Sequence, residues 1–242
     1  DEYGGADADF YILNGTKMFI TNGSICDFVI VAAYTDPSRR GAGISLFIVE
    51  KGTPGFKVWR KLEKVGNRSS DTAELVFEDC RVPKENLLGE REGGFNQVVE
   101  TLVGGRITYG ARCVGVAQAA YDASFKYAQE RVQFGQPISK FQAIKFKLVR
   151  MAMEIDAARI ITYRAAWLFD NGRPYKKEAS MVKLFATEMV QRVTSEAMQI
   201  HGGYGYMMEY PVQRYFRDAR LFSVTEGTSE VQQLIIGKAL GL

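Results

Sequence analysis

Histidine is almost missing from this 242-residue chain, which has only His201. That excludes multi-histidine metal sites and makes any Ser/Cys–His nucleophile depend on one residue. Chemistry here must therefore lean on carboxylates, the backbone or a cofactor. Cysteine is scarce as well: Cys26, Cys80 and Cys113 are the three present, far apart and without a C-x-x-C pair. Zinc and dithiol readings fall away, and a reducing compartment is the expected home. No apolar run approaches the roughly 18 residues of a membrane span, and no basic, apolar leader opens the sequence. Neither charge sign dominates, since 31 Lys plus Arg against 28 Asp plus Glu leave a formal +3, too little to argue for nucleic acid. What remains is a globular mixture, 46% hydrophobic and 24% charged, long enough for one large domain or two modest ones.

Hydrophobic patterning changes once along the chain. Residues 1–92 read as β. Asn14-Gly15 between Phe10–Leu13 and Thr16–Ile20 predicts a two-residue hairpin, because both residues tolerate φ > 0. Further strands are expected at Phe28–Tyr34, Ser45–Glu50, Phe56–Trp59 and Glu74–Glu78, separated by turn clusters at Asp36–Ser38, Gly52–Gly55 and Asn67–Asp71. Strand follows strand without a helical period between, which means antiparallel sheet rather than a βαβ nucleotide fold.

From residue 93 the period becomes helical. Phe95, Val98, Val99, Leu102 and Val103 share one face. So do Leu148, Met151, Ile155, Ala158, Thr162, Ala165 and Phe169, and then Val182, Phe185, Met189, Val193, Ala197 and Ile200. Breaks fall at Gly135-Gln136-Pro137, at Asn171-Gly172-Arg173-Pro174 and at Gly202-Gly203. The expected fold class is α+β: an antiparallel β-domain over 1–92, built as a barrel or orthogonal sheets, then an antiparallel four-helix bundle over 93–242.

Four segments carry candidate chemistry, and each has a plain structural reading beside it. Gly202-Gly203-Tyr204-Gly205 follows a helix rather than a strand and lacks the G-x-G-x-x-G spacing, so it reads first as a helix C-terminus, with His201 a structural donor beside it. Arg131-Val132-Gln133-Phe134-Gly135 reads either as a helix end capped by Gly135 or as an Arg and an aromatic holding a phosphate and a base. Thr21, closing Phe19-Ile20-Thr21, is by default a strand-end hydroxyl. Glu226-Gly227-Thr228-Ser229-Glu230 precedes the last helix, with Ser229 and Gln232 as a capping box. Glu226 in that loop either answers the helix dipole or serves as a general base.

Taken in order, these segments resemble the acyl-CoA dehydrogenase family of flavoproteins. The likeness runs through Lys17–Gly23, Asp71–Leu75 with Val82-Pro83, Glu130–Gly135, Gln199–Gly205, Glu209–Pro211, Arg217–Ala219 and Glu226–Ser229. It covers essentially the whole chain, from the family's middle β-domain through its C-terminal helical domain, and leaves the family's N-terminal helical domain outside this sequence. The resemblance implies FAD as cofactor, an acyl-CoA thioester as substrate and a trans-2-enoyl-CoA as product. Glu226 is then the α-proton base and its backbone N–H helps polarise the thioester carbonyl. Desolvation by bound substrate raises the carboxyl's pKa while the following helix N-terminus lowers it, and desolvation is expected to win.

The same resemblance places Phe19 and Thr21 beside the flavin ring. Arg131, Phe134, Gln199, Gly202 and Gly203 stand at the adenosine-diphosphate end of a neighbouring subunit's FAD, and Thr228 with Glu230 near the cofactor on the base's own subunit. No metal is involved. Relatives that carry the base directly before the arginine matching Arg106 have a carboxylate where this chain has Gly105. Partners implied are an electron-transfer flavoprotein and further copies of the chain, as a homodimer or homotetramer. The expected location is the cytoplasm of a bacterium or archaeon, or the mitochondrial matrix of a eukaryote. An oxygen-using acyl-CoA oxidase and a catalytically idle binding scaffold are the rival readings. The chain without an N-terminal domain is expected to turn over poorly.

Overall fold

The computed structural model describes residues 9–242; residues 1–8 of the expected β-domain lie outside the described residues. The chain forms two compact units, one ending at Glu100 and one running from Thr101 to Leu242. The boundary falls eight residues past the change of period (100 against 92) because the first turn of the long helix groups with the sheets: Gly94 lies against Ser45 and Leu46, and Phe95 beside Gly41.

In the first unit, β1 (Phe10–Thr21), β5 (Thr72–Pro83) and β4 (Phe56–Lys61) form one antiparallel sheet in the order β1-β5-β4. The strands β2 (Phe28–Tyr34), β3 (Ile44–Glu50) and β6 (Leu87–Leu88) form another in the order β2-β3-β6. Alternation fills a shared core with Leu13, Val31, Phe47, Val49, Ala73, Leu75, Phe77, Cys80 and Val82.

The expected Asn14-Gly15 hairpin does not form. β1 runs straight through both residues and pairs with β5 from Phe10 to Thr21, with a register shift between Leu13 and Gly15. The reason is a cross-strand lock. Asp79, at φ 46, donates its backbone N–H to Asn14 Oδ1 at 2.7 Å, and Asn14 Nδ2 donates back to Asp79 Oδ1 at 3.1 Å. β5 takes up one extra residue there, Glu78 and Asp79 standing opposite Asn14 alone, so its inward alternation slips from Ala73/Leu75/Phe77 to Cys80/Val82, and the Asn-Gly pair runs past a bulge instead of forming a turn.

The second unit contains most of α1 (Gly94–Glu130), then α2 (Gln142–Asp170), α3 (Lys176–His201), α4 (Val212–Ala219) and α5 (Ser229–Leu240). Its core joins Tyr109, Cys113, Ala117 and Ala120 of α1 to Leu148, Met151, Ile155 and Ala158 of α2 and Ala186, Met189, Val190, Val193 and Ala197 of α3. Small residues bring α1 close to its neighbours. A Cβ on Gly110 would meet Val182 Cγ1 at 2.2 Å and Thr162 Oγ1 at 3.1 Å, so only glycine allows α3 and α2 to sit where they do.

Two details differ from the sequence pattern. Phe169 is 52% exposed, because its ring pairs edge-on with Tyr175 across the turn that ends α2 rather than entering the core. The eight-residue α4, launched after Pro211, adds a helix to the expected four. No helix among the described residues is long and apolar enough to cross a membrane.

Candidate active site

Glu226 stands in the loop between α4 and α5 with φ 56, a left-handed backbone value that a glutamate adopts only when its surroundings hold it there. Two contacts supply the hold. Gln232, fully buried on α5, donates its Nε2 to the Gly227 carbonyl at 3.1 Å and to the Glu226 carbonyl at 3.4 Å. Thr225 Oγ1, one residue earlier, is hydrogen-bonded to the hydroxyl of Tyr109 on α1. The expected Ser229/Gln232 capping box is thereby overturned. Thr228 is the N-cap, its side chain accepting the Val231 N–H, and Gln232 is turned back onto the loop because its amide is needed for those carbonyls.

The Glu226 carboxylate points into the bundle. A Cβ on Gly105 would lie 3.4 Å from Glu226 Oε2, so the absence of a side chain there leaves room for the carboxyl. Arg106, 7% exposed, gives its Nη1 to Ser180 of α3 at 3.0 Å. Lys183, one turn further along α3, has no exposed surface. Burial pushes the Glu226 carboxyl above the ordinary carboxylate range, against the opposing pull of the Lys183, Arg106 and Arg112 charges. Burial likewise lowers Lys183 and Arg106, while Glu226 raises both. Cys113 nearby is a neutral thiol, its pKa pushed up to about 12 by burial. The inside of the bundle thus sets a carboxyl of raised pKa among three cationic side chains.

A second site lies at the α1–α2 connection and the end of α3. Val132–Gln133 pairs with Gln136–Pro137, and Phe134 (φ 50) with Gly135 (φ 79) makes the turn between them. Two successive positive φ values define a type I′ turn, so Gly135 is the second turn residue of a small hairpin and not the helix cap that the sequence pattern favoured. The hairpin holds Phe134 out at 93% exposure. Arg131, Phe134, Gly202 and Gly203 line one cavity of about 740 Å³ together with Tyr127, Phe141, His201 and Tyr204. Arg131 lies 5.4 Å from the Tyr204 ring centroid, in cation–π range. His201 is structural: its Nδ1 meets the Ala197 carbonyl oxygen at 2.8 Å, its ring stacks on Tyr127, and burial lowers its pKa.

The remaining residues fall elsewhere. Gln199 is exposed on α3 and does not line the cavity. Thr228 and the exposed Glu230 begin α5, beside Glu226 in the chain. Phe19 and Thr21 end β1. Phe19 is 76% exposed at φ 62, where the β1–β5 register shifts. The turn after Thr21 is clamped by Asp71, whose Oδ2 accepts the Ser24 N–H at 2.9 Å and the Ser24 hydroxyl. Sequence reasoning missed Lys183 and Gln232. The signal was there for Lys183, which falls in register with Ala179, Ala186, Val190, Val193 and Ala197, a charge on the apolar track of an amphipathic helix.

The chain belongs to the acyl-CoA dehydrogenase family: residues 92–241 match its C-terminal domain and residues 3–80 its middle domain. It is 53% identical over 236 residues to a probable acyl-CoA dehydrogenase of Bacillus subtilis, covering 97% of this chain and 62% of that protein. It superposes on the butyryl-CoA dehydrogenase of Megasphaera elsdenii with a TM-score of 0.93 at 49% identity, covering 96% of this chain and 61% of that one. A chain in the structure of the electron transferring flavoprotein of Acidaminococcus fermentans is similar at 50% identity and a TM-score of 0.94, covering 97% and 62%. The chain therefore spans about three fifths of the length of the relatives it matches.

Proposed function

We propose that the protein of which this chain is part oxidises a short-chain acyl-CoA thioester to the trans-2-enoyl-CoA, with Glu226 as the base that removes the α-proton. The observation that carries the reading is the Glu226 carboxyl itself. It is inward-pointing, has an Oε2 with no hydrogen-bond partner and sits above the ordinary carboxylate range because of burial, so it is both basic and available. Its backbone N–H is assigned to the thioester oxygen, where negative charge grows as the α-proton leaves. Gln232 fixes the loop and so the aim of both groups. The short-chain preference rests on the similarity to butyryl-CoA dehydrogenase.

The residues fit a flavin dinucleotide. Arg131 offers a guanidinium for phosphate. The cavity beside it is walled by aromatic rings, and Gly202 and Gly203 have no atom within 4 Å of where a Cβ would stand, so their backbone is open to close approach. When bound, FAD supplies the two-electron acceptor for the hydride leaving Cβ. Phe19 and Thr21 are assigned to the ring end, Arg131, Phe134, Gln199, Gly202 and Gly203 to the adenosine-diphosphate end in a neighbouring copy, and Thr228 and Glu230 to the cofactor on the base's own subunit. The apolar residues exposed along α2, among them Val149, Met153, Ile160 and Tyr163, support self-association into a dimer or tetramer. Likeness to the Acidaminococcus chain supports an electron-transfer flavoprotein as the onward acceptor.

The test is anaerobic bleaching of the flavin in the full-length protein by acyl-CoAs of graded length. Short straight chains should bleach fastest. No bleaching by any acyl-CoA would overturn the reading, and rapid reoxidation of the reduced enzyme in air would move it to an oxidase.

A further inference from the structure

Among the described residues, five buried side-chain atoms lack a hydrogen-bond partner, and four of them belong to Arg106, Lys183, Glu226 and Gln232. Contacts tie three of these residues to one place. Arg106 reaches Ser180 on α3, its neighbour Gly105 abuts the Glu226 carboxyl, and Gln232 grips the Glu226 loop. Lys183 lies one turn beyond Ser180 on the same buried face of α3, next to Val182, which touches α1 at Gly110. A fully buried ammonium without a hydrogen-bonding partner is costly unless an opposite charge compensates it.

Resting on the assignment of Glu226 as the base, we propose that Lys183 is a positioning residue for the reaction: its buried ammonium is the counter-charge that holds the Glu226 carboxylate ionised in the pocket before substrate enters. Arg106 contributes to the same field, but its guanidinium is already engaged by Ser180. The charges and titratable groups facing the pair are Arg106, Arg112, Tyr109 and Cys113 from α1 and Glu230 from α5. Tyr109 and Cys113 are held neutral by burial, so neither competes with the Glu226 carboxylate for the Lys183 ammonium. A fixed ammonium acting through space suits a base that must give up its negative charge in the reaction. A direct salt bridge would tie up the oxygen that has to take the proton.

The experiment uses the full-length, FAD-loaded enzyme. In Lys183→Met the acidic limb of the kcat/KM–pH profile should move to higher pH, with activity below the wild-type limb falling about tenfold for each unit moved. The alkaline plateau should be largely kept, and Lys183→Arg should restore the limb. A Lys183→Met limb that stays in place overturns the proposal, even if kcat or thermal stability falls, because a packing role alone would not move a titration. If Lys183→Met does not fold, the reciprocal measurement decides. In Glu226→Gln, 13C-lysine NMR should show Lys183 titrating at lower pH than in the wild type, and an unchanged midpoint overturns the proposal. Normal turnover by Glu226→Gln would instead sink the base assignment itself.

Discussion

Asp71 in the β unit and Glu226 in the helical unit are two poorly exposed carboxylates treated in opposite ways. Asp71 is 7% exposed, and its Oδ2 takes both the backbone N–H and the hydroxyl of Ser24. The hydroxyl bond, foremost, holds its carboxyl below the ordinary range. Glu226 Oε2 takes nothing, and burial holds its carboxyl above that range even with three cations nearby. Asp71 Oδ1 is also without a partner, so what sets the two apart is the other oxygen: a carboxylate gripped there by an N–H and a hydroxyl fastens a loop. One whose pKa burial raises, with no such grip on its inward oxygen, is available to accept a proton. The difference separates a structural acid from a chemical one without reference to motif.

The comparison is most easily broken at Glu226. Replacing it with Gln should lower kcat by about 10²–10⁴-fold, the usual worth of a general base, while flavin content stays constant. The cavity residues should behave the other way round. Arg131→Ala should weaken FAD retention about tenfold to a hundredfold, read as flavin lost on dialysis, because one charge-assisted contact of about 1.5–3 kcal/mol goes. Unchanged flavin would reduce Arg131 to a helix-end charge over Tyr204.

The packing that brings α1 against α3 is sharpened by Gly110→Ala. Alanine favours helix by about 1 kcal/mol over glycine. Yet the added Cβ would stand 2.2 Å from Val182, so chemical denaturation should show a net loss of about 1–3 kcal/mol.

The smallest effects are in pH dependence, and their signs oppose. Asp71 has a lowered pKa in the fold, so its contribution is present above its unfolded value of about 3.9 and fades as pH falls through the folded one. Asp71→Asn should therefore be less stable than wild type at neutral pH and converge with it in acid. Glu226 has a raised pKa, so ionising it costs stability once pH passes its unfolded value of about 4.3. Glu226→Gln should melt higher than wild type at neutral pH, with the gap closing in acid. Melting curves across pH that show the same sign for both variants would erase the distinction.

Much of the molecule follows from local pattern. The β2 and β3 strands, the inward faces of α2 and α3, and the breaks at Asn171–Pro174 and Gly202 all answer to a period of two or of 3.6 and to turn residues, which are properties of neighbouring positions. Asn14-Gly15 and Gly135 show where that logic fails. The same residue types serve a turn, a bulge or a helix cap, and what selects among them is the pairing partner: Asp79, 65 residues on, in the first case, and the adjoining Gln136–Pro137 strand folding back on Val132–Gln133 in the second. Phe169 left the core for Tyr175 by the same kind of tertiary choice.

The presence of Glu226, the space at Gly105 and the near-absence of histidine could be read from the letters alone, because they concern which groups exist and what chemistry they permit. That Glu226 is partly buried with an unpartnered Oε2, that Gln232 braces its loop and that Lys183 and Arg106 lie in its field was decided only by the fold. Burial and electrostatic coupling depend on distance through space, and helix packing at Gly110 and Ser180 sets those distances.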